Sequence, residues 1–272
     1  MTTASTNQAA HRLPETTHTG QVHLRVADLE RSLAFYRDLL GYAVLPVNER
    51  SIRLAPVAEA PAHFLLEAVP GVGPKPWAAA GLFHAAIRVP TPRDLARVIS
   101  RLFNAGWKIS GMADHGVSEA FYLDDPDGNG LEIYRDRPRE GWPHVKGELA
   151  MVSDPLDINA LFATMEPGDL DITTIPAGTD IGHIHLQVSS LAKAEAFYSD
   201  VLGFDVMQRS YRGALFVSAG GYHHHVGLNV WAGEGVAGLR GDAAGLIDFT
   251  VLLPSAGALE EVMSRIAAAG LE

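Results

Sequence analysis

The segment HIHLQVSSLAKAEAFYSDVLGF (His183 to Phe204) repeats QVHLRVADLERSLAFYRDLLGY (Gln21 to Tyr42) without a gap. His23 maps to His185, Phe35-Tyr36 to Phe197-Tyr198, Asp38 to Asp200 and Gly41 to Gly203, at a constant offset of 162. In the first copy Val22, Leu24 and Val26 alternate as in a strand. After Asp28 as N-cap, Leu29, Leu33, Tyr36 and Leu40 fall at helical spacing until Gly41 ends the helix. A second pair follows the same plan at an offset of 164: GLFHAAIRVP leads into DLARVISRLFNAG, and GLIDFTVLLP leads into LEEVMSRIAAAG. Short strand candidates follow each helix of the first half: Ala43 to Val47, Ser51 to Ala55 and His63 to Val69, then Trp107 to Ser110, Ala120 to Leu123 and Leu131 to Tyr134. The repeating unit is therefore βαβββ, present about four times, and duplication is its economical source.

This fixes the expected class as α+β, with tandem βαβββ modules paired into two domains. The expected division is a disordered tail over 1–18, a first domain over 19–138 carrying two modules, a linker over 139–180 and a second domain over 181–272. The fourth copy is incomplete, because Gly270 is the counterpart of Gly106 and only two residues follow it. A half without its last hairpin is expected to expose a sheet edge and invite self-association into a homo-oligomer.

Composition removes several function classes. A net charge of -11 opposes a nucleic-acid partner, which demands a basic face. No apolar run is long enough to span a bilayer, and the first residues lack the apolar segment of a secretory signal, so a cytoplasmic enzyme is expected. Zero cysteines leave any metal to be held by the carboxylates and the 12 histidines.

Asp114 to Pro138, DHGVSEAFYLDDPDGNGLEIYRDRP, reads as a hairpin whose turn is rich in Asp, Pro, Gly and Asn. In its second strand Leu131 and Ile133 point one way and Glu132 the other. A carboxylate in so apolar a strand is either solvated at an edge or holds a cation. The same parity sets His23 opposite Val22, Leu24 and Val26, and His84 opposite Phe83, Ala85 and Ile87.

The four βαβββ units, the VHL strand start, the AFY helix, the LG helix end and the DPDGNGLEIY hairpin together resemble the vicinal oxygen chelate superfamily of glyoxalases, antibiotic-binding resistance proteins and extradiol dioxygenases. GLFHAAIRVP, DHGVSEAFYLDDPDGNGLEIYRDRPREGW, GHIHLQV and SAGGYHHHVGLNVW are similar to the bacterial catechol 2,3-dioxygenase type. The resemblance implies a cupped sheet around a divalent metal, and ring cleavage of a catechol-type diol with O2. His23, His84 and Glu132, one per strand, would form the facial triad of non-heme Fe(II) oxygenases. Mn(II), Ni(II) and Zn(II) are the alternative ions.

The resemblance also implies roles for three neighbours. His115 and Tyr122 would hydrogen-bond the substrate and oxygen-derived atoms, and His63 would act as acid or base. A rival reading adds Glu67 as a fourth ligand, giving the His-Glu-His-Glu set of glyoxalase-type isomerases, which need no redox change. A metal-free binding protein would not need the three ligands together. The run His223-His224-His225 suggests a separate site with His185 and Asp248, but consecutive strand residues alternate faces and do not all converge.

Overall fold

The computed structural model describes residues 11–271. Three full modules and one partial module are present. The first is β1 (His18–Val26), α1 (Leu29–Tyr36), β2 (Ala43–Asn48), β3 (Ser51–Ala55) and β4 (Phe64–Ala68). The second is β5 (Gly81–Arg88), α2 (Pro92–Asn104), β6 (Ile109–Asp114), β7 (Ser118–Asp124) and β8 (Gly130–Asp136). A connecting segment carries β9 (His144–Val145), β10 (Glu148–Leu149) and α3 (Ile158–Phe162). The third module is β11 (Asp180–Gln187), α4 (Leu191–Glu195), β12 (Asp205–Gln208), β13 (Ala214–Ser218) and β14 (Val226–Asn229). Among the described residues the fourth comprises β15 (Gly245–Leu252) and α5 (Ala256–Ala268).

Each strand-to-helix turn is fixed by a side-chain cap. Asp28, Thr91, Ser190 and Ser255 are extended residues whose oxygens accept from the backbone N–H three positions on, satisfying donors that the first helical turn leaves free. The repeated AFY segment in the third module continues α4 as a π-helical turn over Ala196–Val201. Within every full module the last strand runs parallel to the first: β1 beside β4, β5 beside β8, β11 beside β14. The hairpin read from sequence is β7–β8, and Asp125 organises its turn by accepting from Tyr36 Oη, Asp127 N, and Asn129 N and Nδ2. Gly130 opens β8 because a Cβ there would sit 2.0 Å from the Phe83 carbonyl of β5.

The modules do not pair in chain order. One sheet has the order β15-β1-β4-β3-β2 and the other β12-β13-β14-β11-β5-β8-β7-β6. The first module therefore joins the fourth, and the second joins the third, so the expected units 19–138 and 181–272 each contribute to both sheets. A repeat identifies the units, but any first strand offers the same free edge to any other. The expected tail over 1–18 also needs correction. Residues 1–10 lie outside the described residues, whereas Leu13 is buried with its N–H on the Gly203 carbonyl, Thr17 is buried and His18 starts β1. No helix among the described residues is long and apolar enough to cross a membrane.

Candidate metal centre

The junction of β5 with β11 places two histidine-bearing strands side by side. They run antiparallel with His84 opposite His185 and Ala86 opposite His183, with irregularities on both sides of the histidine pair. On the other side of β5, the parallel β8 sets Glu132 beside Ala86. One ligand atom from each of His84, Glu132 and His183 lies within 4.8 Å of the others, and all three residues are buried. His84 Nε2 is 2.9 Å and His183 Nε2 3.2 Å from the same oxygen, Glu132 Oε2.

The donor set fits a divalent cation. His84 Nε2 approaches Glu132 closely yet makes no hydrogen bond, and His183 Nδ1 is buried without a partner. Two groups at hydrogen-bond distance without its angle are arranged as though about a shared third centre. Burial lowers the His183 pKa to about 4, against the pull of Glu132, so its ring is neutral and its lone pair is available. Burial alone would raise Glu132, but the imidazoles of His183 and His84 hold its pKa well below the usual carboxylate range.

His84 and Glu132 line a cavity of about 250 Å³, and His183 lies behind them beside Glu132. His115 and Tyr122 line it together with His185 and His224. His115 Nδ1 faces the Val152 carbonyl, which only accepts, so Nδ1 carries the hydrogen and Nε2 receives the Tyr122 hydroxyl at 2.6 Å. Burial, then the charge of Glu132, raises the Tyr122 pKa well above that of a free phenol. Met151, Val152 and Ser153 complete one wall, so the segment expected to be a linker builds part of the site.

The structure does not bring His23 to this centre. His23 lies in the other sheet, with Nε2 3.2 Å from Glu67 and Nδ1 3.0 Å from Asp248. His183 stands where His23 was expected. No local signal separated the two: His23, like His84 and His183, stands in a strand with an apolar residue three positions on, Val26 as against Ile87 and Leu186. By the 162 offset, Gln21 is the counterpart of His183. Glu67 is half-exposed beside His23, so the four-ligand set with His84 and Glu132 is not assembled.

His63 is also placed elsewhere. It is buried next to β4, its Nδ1 3.2 Å from Tyr42 Oη, and does not line the cavity. The three consecutive histidines precede β14 in a loop, which frees them from strand alternation. His224 packs on His183 with ring centroids 4.0 Å apart, and burial keeps its pKa well below 6.5. His223 bridges His224 Nδ1 at 2.8 Å and Asp136 at 3.0 Å. His225 turns away to Ser218 and the Ala219 N–H. Asp248 lies in the other sheet, so the separate site suggested for this run with His185 and Asp248 does not form.

Known proteins resemble the chain over most of its length. The chain is 44% identical over 259 residues to the catechol-2,3-dioxygenase of Bacillus subtilis (strain 168), covering 94% of this chain and 90% of that relative. A crystal structure from Bacillus subtilis subsp. subtilis str. 168, described provisionally as a dioxygenase, superposes with a TM-score of 0.65 at 13% identity, over 96% of this chain and 77% of that one. A glyoxalase I mutant from Zea mays gives 0.54 at 15% identity, over 94% and 81%, and shares the fold. The model of the Glyoxalase/Bleomycin resistance protein/Dioxygenase superfamily matches residues 17–133 and 180–272, and the chain belongs to that superfamily.

Proposed function

We propose that this protein is an Fe(II)-dependent extradiol dioxygenase that opens the ring of catechol-type diols with O2. The observation that carries the reading is the buried His84–Glu132–His183 group, of which His84 and Glu132 line a cavity that also presents the His115–Tyr122 pair. Two imidazoles and one carboxylate leave open positions for a chelating diol and for O2, and iron in that set supplies the electron transfer between them.

The chain's own groups handle protons and orientation. Asp136 accepts from His223 Nε2, so in the neutral pair His223 Nδ1 accepts from His224 Nδ1. His224 Nε2 then carries a lone pair, and it has no hydrogen-bond partner among the described residues. It is the base placed to take a proton from a diol hydroxyl, the role the sequence had suggested for His63. On another wall, the Tyr122 hydroxyl and His115 Nε2 share one hydrogen and offer a hydrogen-bond partner to an oxygen of the substrate. Cleavage of the carbon–carbon bond next to the diol, with both atoms of O2 entering the product, gives a muconic semialdehyde.

The test is anaerobic reconstitution with Fe(II), followed by oxygen-electrode and absorbance assays on a panel of catechols. Oxygen uptake with appearance of the semialdehyde is expected for the intact protein and should vanish in Glu132→Gln. Absence of uptake with every diol would end the reading.

A further inference from the structure

The walls of the cavity say which diols it takes. Its apolar side is built from Phe83, Tyr211, Phe216, Trp231, Met151 and Val152, and no lysine or arginine lines it. Four of these are aromatic and touch in sequence: Phe83 and Trp231 centroids are 5.2 Å apart, Trp231 and Tyr211 6.3 Å, and Tyr211 and Phe216 5.9 Å. Such a wall receives a flat ring and its apolar substituents.

Arginines on the neighbouring strands are already committed. Arg135 and Arg137 pair with Glu119, Arg137 also with Asp114, and Arg88 with Asp136 and Asp180. Ser153 Oγ, a neutral donor at the wall, is engaged by Tyr211 Oη at 3.1 Å. The one acidic side chain lining the space is Glu132, and the chain as a whole carries -11. A ring substituent bearing a negative charge, turned away from the ion that the diol oxygens would chelate, would be desolvated here with no lysine or arginine to meet it.

We infer that the site is selective for uncharged diols, with hydrogen, alkyl or halogen substituents, and discriminates against diols carrying a carboxylate. The inference rests on reading this cavity as the diol site. The apolar, aromatic wall and the lack of a lysine or arginine point together to a neutral ring.

Oxygen-free calorimetric titration of the Fe(II)-reconstituted protein with 4-methylcatechol and with 3,4-dihydroxybenzoate tests this without turnover. The neutral diol is expected to bind at least about 100-fold more tightly. Val152→Arg, which adds a cation to the wall and leaves the backbone carbonyl that His115 uses, should raise affinity for the benzoate about 10-fold or more. Equal affinities, tighter binding of the benzoate, or no gain from the added arginine would overturn the inference, and so would failure of both ligands to bind. Admitting air afterwards separates the two claims. Selective binding of 4-methylcatechol without oxygen uptake would sink the dioxygenase reading and leave the selectivity standing, whereas turnover of both diols would do the reverse.

Discussion

The β5–β11 and β1–β15 junctions are built on one plan, two antiparallel first strands each beginning a module, and among the described residues it is β5–β11 that gathers a group able to hold a metal. Across β5–β11, His185 faces His84; across β1–β15, His23 faces Asp248. The difference lies two residues away and one strand over. His183 has Gln21 as its counterpart, and β8 brings Glu132 beside β5 where the described residues of the fourth module provide no corresponding strand. Burial follows the same division: β5 is largely enclosed, while β15 keeps Ile247 and Leu252 exposed. Imidazoles and a carboxylate make a centre only where an enclosing third strand takes them out of water together. His23, with half-exposed Glu67 and exposed Asp248 beside it, is held in a solvent-facing pairing of the weak kind.

That contrast is open to direct attack. Replacing His183 or Glu132 by Gln should reduce iron content and oxygen uptake by more than about 100-fold, beyond the loss usual for outer groups around a metal. His23→Gln and Glu67→Gln should leave both within about two-fold. Metal analysis beside oxygen uptake reads both pairs, and a loss on changing His23 would reverse the assignment.

His224→Gln should keep its iron while kcat falls about 100-fold, as removal of a positioned base does. A matching loss of iron would instead make His224 a ligand.

In the β1–β15 half, burial lowers His63 from 6.5 to about 4, with Asp180 opposing. The unfolded chain therefore takes up the proton first as pH falls. Stability from this residue is whole above about pH 6.5 and is lost towards pH 4, by an amount on the order of 2 kcal/mol. Denaturant titrations at pH 7 and pH 5 should show a smaller drop for His63→Gln than for the unaltered protein.

The smallest effect is the most pointed. Gln21→His combined with Asp248→His copies both imidazoles into the β1–β15 junction, where the neighbouring carboxylate is the half-exposed Glu67 of β4 and not a buried one. It should bind no additional iron, and a second equivalent on metal titration would show that the two junctions differ less than their burial suggests.

Much of this was legible beforehand. The offsets of 162 and 164 located the four strand-to-helix starts, and the turn chemistry of Asp124 to Gly130 placed the β7–β8 hairpin. Strand parity picked out His84 and Glu132, whose side chains do meet, because alternation is a local property of extended backbone. His23 passed the same test for the same local reason, and parity cannot say which strand lies alongside. The His223–His225 run was misread as strand; its loop lets His223 and His224 both approach His183 while His225 leaves.

The amino-acid order by itself determined the βαβββ units, their caps and turns, and the faces taken by His23, His84 and Glu132 in their strands, since these follow from contacts between near neighbours in the chain. Which module lies against which was decided only on folding. Sheet edges of equal shape compete for one another, and the pairing of second with third, carrying His183 to His84 and Glu132, is a property of the whole core.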